Sequence, residues 1–156
     1  MNPFHSADKE KQELNIDLSP IIASNGRESE RRLVMANPFV HVELQTTDVE
    51  KAKSFYTTLF DWKLEDVPMP SGAYTMISVG EGTGGGMMRN PAPGASSAWL
   101  PYVLVDDIVA ATEKAKSLGA TVITDVMEVM DAGWLSIFAD PTGATLGLWK
   151  PKRPEA

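Results

Sequence analysis

His41 and Glu43 stand two residues apart in Phe39-Val-His-Val-Glu-Leu-Gln. In an alternating segment that spacing turns both side chains to one face, and Gln45 continues it. An imidazole beside a carboxylate can act as a general base with a tuning partner, and the pair suits proton abstraction next to a carbonyl. The same two groups are also the obvious ligands if a divalent metal binds, although a catalytic centre usually takes three protein ligands. A competing reading makes His41 an ordinary inward-facing side chain, hydrogen-bonded in a half-polar cavity.

Aromatic residues concentrate later, at Trp99, Tyr102, Trp134 and Trp149. Aromatics on strands serve either as core or as the wall of an apolar cavity for a flat ligand. Met87 and Met88 would add adaptable lining. Gly80-Glu-Gly-Thr-Gly-Gly-Gly86 lacks the Gly-Lys-Ser/Thr ending of a phosphate loop, so it reads as a turn or a strand start with close backbone approach. The 156 residues contain no cysteine, which removes thiol nucleophiles, disulfides and Cys-ligated metals. A net charge of −7 argues against a nucleic-acid partner. No apolar run approaches the roughly 18 residues of a membrane span, and the first ten residues carry no signal-type apolar stretch. The expected location is the cytoplasm.

Period-two and helical patterns then place these groups. Val40, Val42 and Leu44 alternate with His41, Glu43 and Gln45, which predicts a strand from Phe39. Thr47 with Glu50 reads as a capping box, and Val49, Ala52, Tyr56 and Leu59 recur at helical spacing up to Asp61. Trp62 to Val67, Tyr74 to Val79 and Gly85 to Arg89 read as three strands, and residues 90–97 as a linker. The order then repeats. Strand Trp99 to Val105, with Pro101 at a strand edge or start, precedes helix Ile108 to Leu118, stopped by Gly119. Strands follow at Thr121 to Val129, Trp134 to Ala139 and Thr145 to Lys150, with Asp140-Pro-Thr-Gly143 as a turn. Thr47-Asp48-Val49 and Asp106-Asp107-Ile108 lie about 59 residues apart, the mark of a duplicated unit. The expected fold is α+β: two tandem βαβββ modules, 38–90 and 98–151, forming curved sheets around a cavity with helices outside. A ferredoxin-like βαββαβ fold has too few strands.

Residues 1–36 are polar and charged, and read as a flexible extension with a short helix near Glu28 to Val34. Met35 offers an alternative start just before the first module. Residues 37–152 form the single domain, and 153–156 a short tail.

Phe39-Val-His-Val-Glu-Leu, Asp48, Ala52, Phe55-Tyr56 and Leu59-Phe60-Asp61-Trp62 resemble the opening module of the vicinal oxygen chelate superfamily. That superfamily includes glyoxalase, bleomycin-resistance proteins and extradiol dioxygenases. Pro101-Tyr-Val-Leu-Val-Asp-Asp and Phe138-Ala-Asp-Pro-Thr-Gly-Ala-Thr-Leu-Gly-Leu-Trp149 resemble its second module. The resemblance implies one metal ligand on the first and last strand of each module. Those positions here are His41, Met87, Leu100 and Gly147, with the two last-strand registers open to a one-residue slip. Leu, Met and Gly cannot supply the His or carboxylate ligands of a hard or borderline divalent ion, so no metal site is expected beyond His41 and Glu43, and no cofactor beyond a divalent metal.

Three functions follow as expectations. The first is a small-molecule-binding protein whose cavity is lined by His41, Glu43, Gln45, Met87, Leu100, Tyr102, Trp134, Gly147 and Trp149, without the usual metal scheme. The second is a glyoxalase-type lyase or isomerase using His41 and Glu43 for metal binding or proton transfer. The third is a partner-binding module acting through the N-terminal extension. Paired modules can associate within one chain or across two, so a homodimer is compatible with each.

Overall fold

The computed structural model describes residues 36–152. The readings for residues 1–35 and 153–156, including the helix near Glu28 to Val34, lie outside the described residues. The elements run β1 (Phe39–Thr46), α1 (Val49–Leu59), β2 (Lys63–Met69), β3 (Gly72–Ser78), β4 (Gly85–Arg89), β5 (Ala98–Leu104), α2 (Ile108–Ser117), β6 (Thr121–Val129), β7 (Gly133–Ala139) and β8 (Thr145–Pro151). This is βαβββ written twice. The two expected curved sheets are continuous, in the order β2-β3-β4-β1-β5-β8-β7-β6. Antiparallel pairing of β1 with β5 joins the modules, and each first strand runs parallel to the last strand of its own module. Neither helix is long and apolar enough to cross a membrane.

The helix starts show why the repeat is visible in the sequence. Asp48 caps α1 by accepting from the Lys51 amide at 3.0 Å, and Asp107 caps α2 by accepting from Ala110 at 3.0 Å. Each carboxylate satisfies an amide that the first helical turn leaves without a partner. The cap is therefore Asp48, not Thr47; the Thr47 amide instead donates to Ser97 Oγ at 3.0 Å. Gly119, at φ 95°, supplies the left-handed residue that ends α2. The first helix, α1, instead exits through an extended Phe60.

Both helices cover the same face of the sheet. Val49, Ala52 and Tyr56 pack on Leu44, Ile77 and Met87, whereas Ala111 packs beside Val105, Ile108 and Leu148. Leu59, assigned by its spacing to the packed stripe, is 55% exposed. Thr112 and Ser136 are the polar members under α2, and their hydroxyls meet at 2.8 Å. Pro101 lies within a central strand. Its missing N–H is tolerated because β8 pairs only with Tyr102 to Leu104 and does not reach it.

Candidate functional site

Alternation along β1 turns His41, Glu43 and Gln45 to the face away from the helices. Strand pairing then decides their neighbours. His41 lies opposite Tyr102 and Glu43 opposite Leu100 on β5, whereas Glu43 lies beside Gly86 on β4. Tyr102 in turn lies beside Gly147 on β8. Gly86 pairs with Met76 on β3, so Tyr74, two residues from Met76, shares the face.

The side chains converge on Glu43, which is 7% exposed. Its Oε2 accepts from Tyr74 OH at 2.9 Å. Its Oε1 accepts from Gln45 Nε2 at 3.0 Å and from Tyr102 OH at 3.4 Å. Tyr74 OH also lies 2.7 Å from His41 Nε2. Burial pushes both phenols well above the ordinary tyrosine value, and the Glu43 charge adds to the shift. They therefore stay protonated and serve as donors. Among the described residues, no buried side-chain nitrogen or oxygen lacks a partner.

The two tyrosines fit because of two glycines. A Cβ on Gly86 would overlap the Tyr74 ring, and one on Gly147 would overlap the Tyr102 ring. Each ring thus lies across the last strand of a module, over a position with no side chain.

Burial lowers the His41 pKa from its usual 6.5, against a smaller raising effect of Glu43. The folded ring is held neutral where the unfolded one would charge. Its stabilising contribution is present above about pH 6.5 and is lost as pH falls below that and through the folded-state value. Urea melts between pH 7.5 and 5 should show this loss in the parent protein and a shallower one in His41→Gln. Parallel profiles would contradict the assignment.

The structure brings together His41, Glu43, Gln45, Leu100, Tyr102 and Gly147. Trp149 shares their face, two residues beyond Gly147. Two expected lining residues lie elsewhere. Met87 is completely buried in the helix-side core with Leu44 and Ile77, and the residue beside Glu43 is Gly86, one position earlier. Trp134 pairs with Lys150 and Glu128, which turns it to the helix side against Val105, Ile108 and Leu148. There its ring lies 5.6 Å from Lys150 Nζ and 5.8 Å from Lys152 Nζ. Tyr74 was missed. A signal was present for Gly86, since Gly86-Met-Met matches Gly147-Leu-Trp: Met87 and Leu148 are both core.

By strand register, the positions at which the resemblance implies ligands are His41, Gly86, Leu100 and Gly147. This donor set does not fit a metal centre of the resembling enzymes: one imidazole remains, and the adjacent carboxylate is already the acceptor for three donors. Among the described residues, no three His, Cys, Asp or Glu side chains are grouped to hold an ion. A separate cavity of about 270 Å³ opens on the helix-side face, between Trp62, Trp99, Ile77 and Val79. It does not include the His41 cluster.

Comparison with known proteins agrees with this architecture. The family described as Glyoxalase/Bleomycin resistance protein/Dioxygenase superfamily matches residues 39–148. The chain is 39% identical over 118 residues to "Putative glyoxylase CFP32" of Mycobacterium tuberculosis (strain CDC 1551 / Oshkosh), covering 72% of this chain and 45% of that protein. It is 30% identical over 123 residues to "Anthracycline biosynthesis protein DnrV" of Streptomyces peucetius, covering 69% and 45%. The chain therefore spans less than half the length of these curated relatives. Among solved structures, hypothetical protein BH1468 from Bacillus halodurans C-125 superposes with a TM-score of 0.62 at 14% identity, covering 78% of this chain and 99% of the other. Methylmalonyl-CoA epimerase from Mycobacterium tuberculosis gives 0.61 at 13%, covering 79% and 95%. At these identities the superpositions speak to fold. The chain, by its family match and its paired βαβββ modules, belongs to the Glyoxalase/Bleomycin resistance protein/Dioxygenase superfamily.

Proposed function

We propose that this chain binds a small, partly apolar molecule on the His41 face of the sheet, between the modules, without the four-ligand metal scheme. One observation carries this reading. At the two last-strand ligand positions the chain has Gly86 and Gly147, and tyrosine rings cover both. Leu100 and Trp149 extend the apolar surface beside the polar cluster. Elemental analysis by mass spectrometry, on protein purified without chelator, tests the metal part. The expected result is no stoichiometric transition metal. Stoichiometric Ni, Zn, Mn or Fe that disappears in His41→Ala would overturn it.

A second reading is a lyase or isomerase working by proton transfer. It is favoured by the chain of hydrogen bonds from His41 through Tyr74 to Glu43. In that reading His41 exchanges the proton, while Tyr74 and Glu43 hold the imidazole and support its charged form. The ligand is a small molecule rather than a nucleic acid, in keeping with the net charge of −7. We place the protein in the cytoplasm, where its paired modules are compatible with a homodimer.

A further inference from the structure

The hydrogen-bond pattern determines where the His41 protons lie. Tyr74 OH is within reach of both His41 Nε2, at 2.7 Å, and Glu43 Oε2, at 2.9 Å. A phenol has one hydrogen, and a carboxylate can only accept. Tyr74 therefore donates to Glu43, and the contact with His41 is closed by a hydrogen on Nε2. In the neutral ring the lone pair is then at Nδ1. Among the described residues nothing bonds to Nδ1, which leaves its lone pair as an acceptor for a ligand.

Two other donors turn the same way. Tyr102 OH and Gln45 Nε2 both point at Glu43. What remains for a ligand is mainly acceptors, His41 Nδ1, the Tyr102 oxygen and Gln45 Oε1, with the second hydrogen of the Gln45 amide as a neutral donor. The lysines that form ion pairs among the described residues bond to other acids, at Glu50, Asp66, Glu113, Glu128 and Asp131, and none to Glu43. An anion would meet the Glu43 charge, and among the described residues no salt bridge to Glu43 offsets it. Tyrosine rings and Leu100 make the surroundings apolar.

We propose that this site selects a neutral molecule whose hydroxyl, attached to an apolar ring, donates to His41 Nδ1, and that it disfavours carboxylates. The proposal rests on the reading that a small molecule binds this face. Tyr74 is a positioning residue: it holds the imidazole in the Nε2–H form.

Nitrogen NMR on protein labelled with ¹⁵N-histidine tests it, with His5→Gln in the background to leave a single histidine signal pair. At pH 7.5 the expected spectrum shows a protonated Nε2 and a bare Nδ1. Tyr74→Phe removes the acceptor for Nε2–H, so the two forms should mix while the fold persists. The opposite form in the parent protein overturns the proposal. Titration with 4-methylphenol should move the Nδ1 resonance, and 4-methylbenzoate should bind about tenfold or more weakly. Equal or tighter binding of the benzoate overturns the selectivity. If neither probe moves the resonance, the ligand class is wrong, even with the Nε2–H form confirmed. Failure of the metal-free reading is scored separately, by the elemental analysis.

Discussion

Gly147→Ala should destabilise the protein by about 1–3 kcal/mol, the usual cost of forcing extra volume into packed structure. The new methyl group would occupy the space of the Tyr102 ring, which is only 4% exposed and cannot simply swing into solvent. Displacing the ring also draws its hydroxyl away from Glu43 Oε1. Tyr102→Ala alone should cost about 3–5 kcal/mol, as for other buried aromatics. The decisive measurement is the double variant. With the ring gone, the methyl enters vacated space, so the two losses should fall short of additive by about 1–3 kcal/mol in urea melts. Strict additivity would mean that the glycine does not exist to admit the ring. Gly86→Ala and Tyr74→Phe provide a control pair: the phenylalanine ring still fills the space, so relief should be absent there.

Glu43→Ala should cost about 3 kcal/mol, because three donors lose one buried acceptor. Tyr74, Tyr102 and Gln45 all turn their hydrogens toward this carboxylate, and each would have to reorient to find another acceptor. Glu43→Gln should cost less, about 1–2 kcal/mol, since the amide oxygen keeps one side of the network while its NH₂ group faces a donor. A second readout separates electrostatics from packing. Burial is the larger cause of the raised phenol values and the Glu43 charge the next. In Glu43→Gln the alkaline absorbance titration of Tyr74 and Tyr102 should therefore move down, without reaching the ordinary value of 10.0. An unchanged titration would show that Glu43 is not charged beside them.

Much of this arrangement is readable from residue order. Val40, Val42 and Leu44 alternating with His41, Glu43 and Gln45 place the polar trio on one face before any partner strand is known. Thr47-Asp48 and Asp106-Asp107 mark two helix starts, and Gly119 an end, because capping is a local matter of one side chain and one turn, although the cap of the first helix is Asp48 rather than Thr47. Trp149 is correctly assigned to the face of Gly147 because parity within a strand needs no tertiary information. The doubled order of elements was likewise legible.

Neighbours across strands were not. The offset of about 59 residues holds between β1 and β5 but changes by the last strands, where Gly86 answers Gly147. Extrapolating the first offset therefore chose Met87, and a slip of one residue exchanges a core side chain for a site position. Trp134 fell on the wrong face for the same reason: the pairing of β7 with β8 sets its parity relative to the site. Tyr74 had no motif at all. It joins the site through strand pairing and the missing side chain at Gly86. Sequence alone determined the modules, the helix starts to within a residue and the His41–Glu43–Gln45 face, because those depend on periodicity and short-range hydrogen bonds. Only the tertiary structure decided that two tyrosine rings lie over Gly86 and Gly147, because strand register and ring packing are set by contacts between distant parts of the chain.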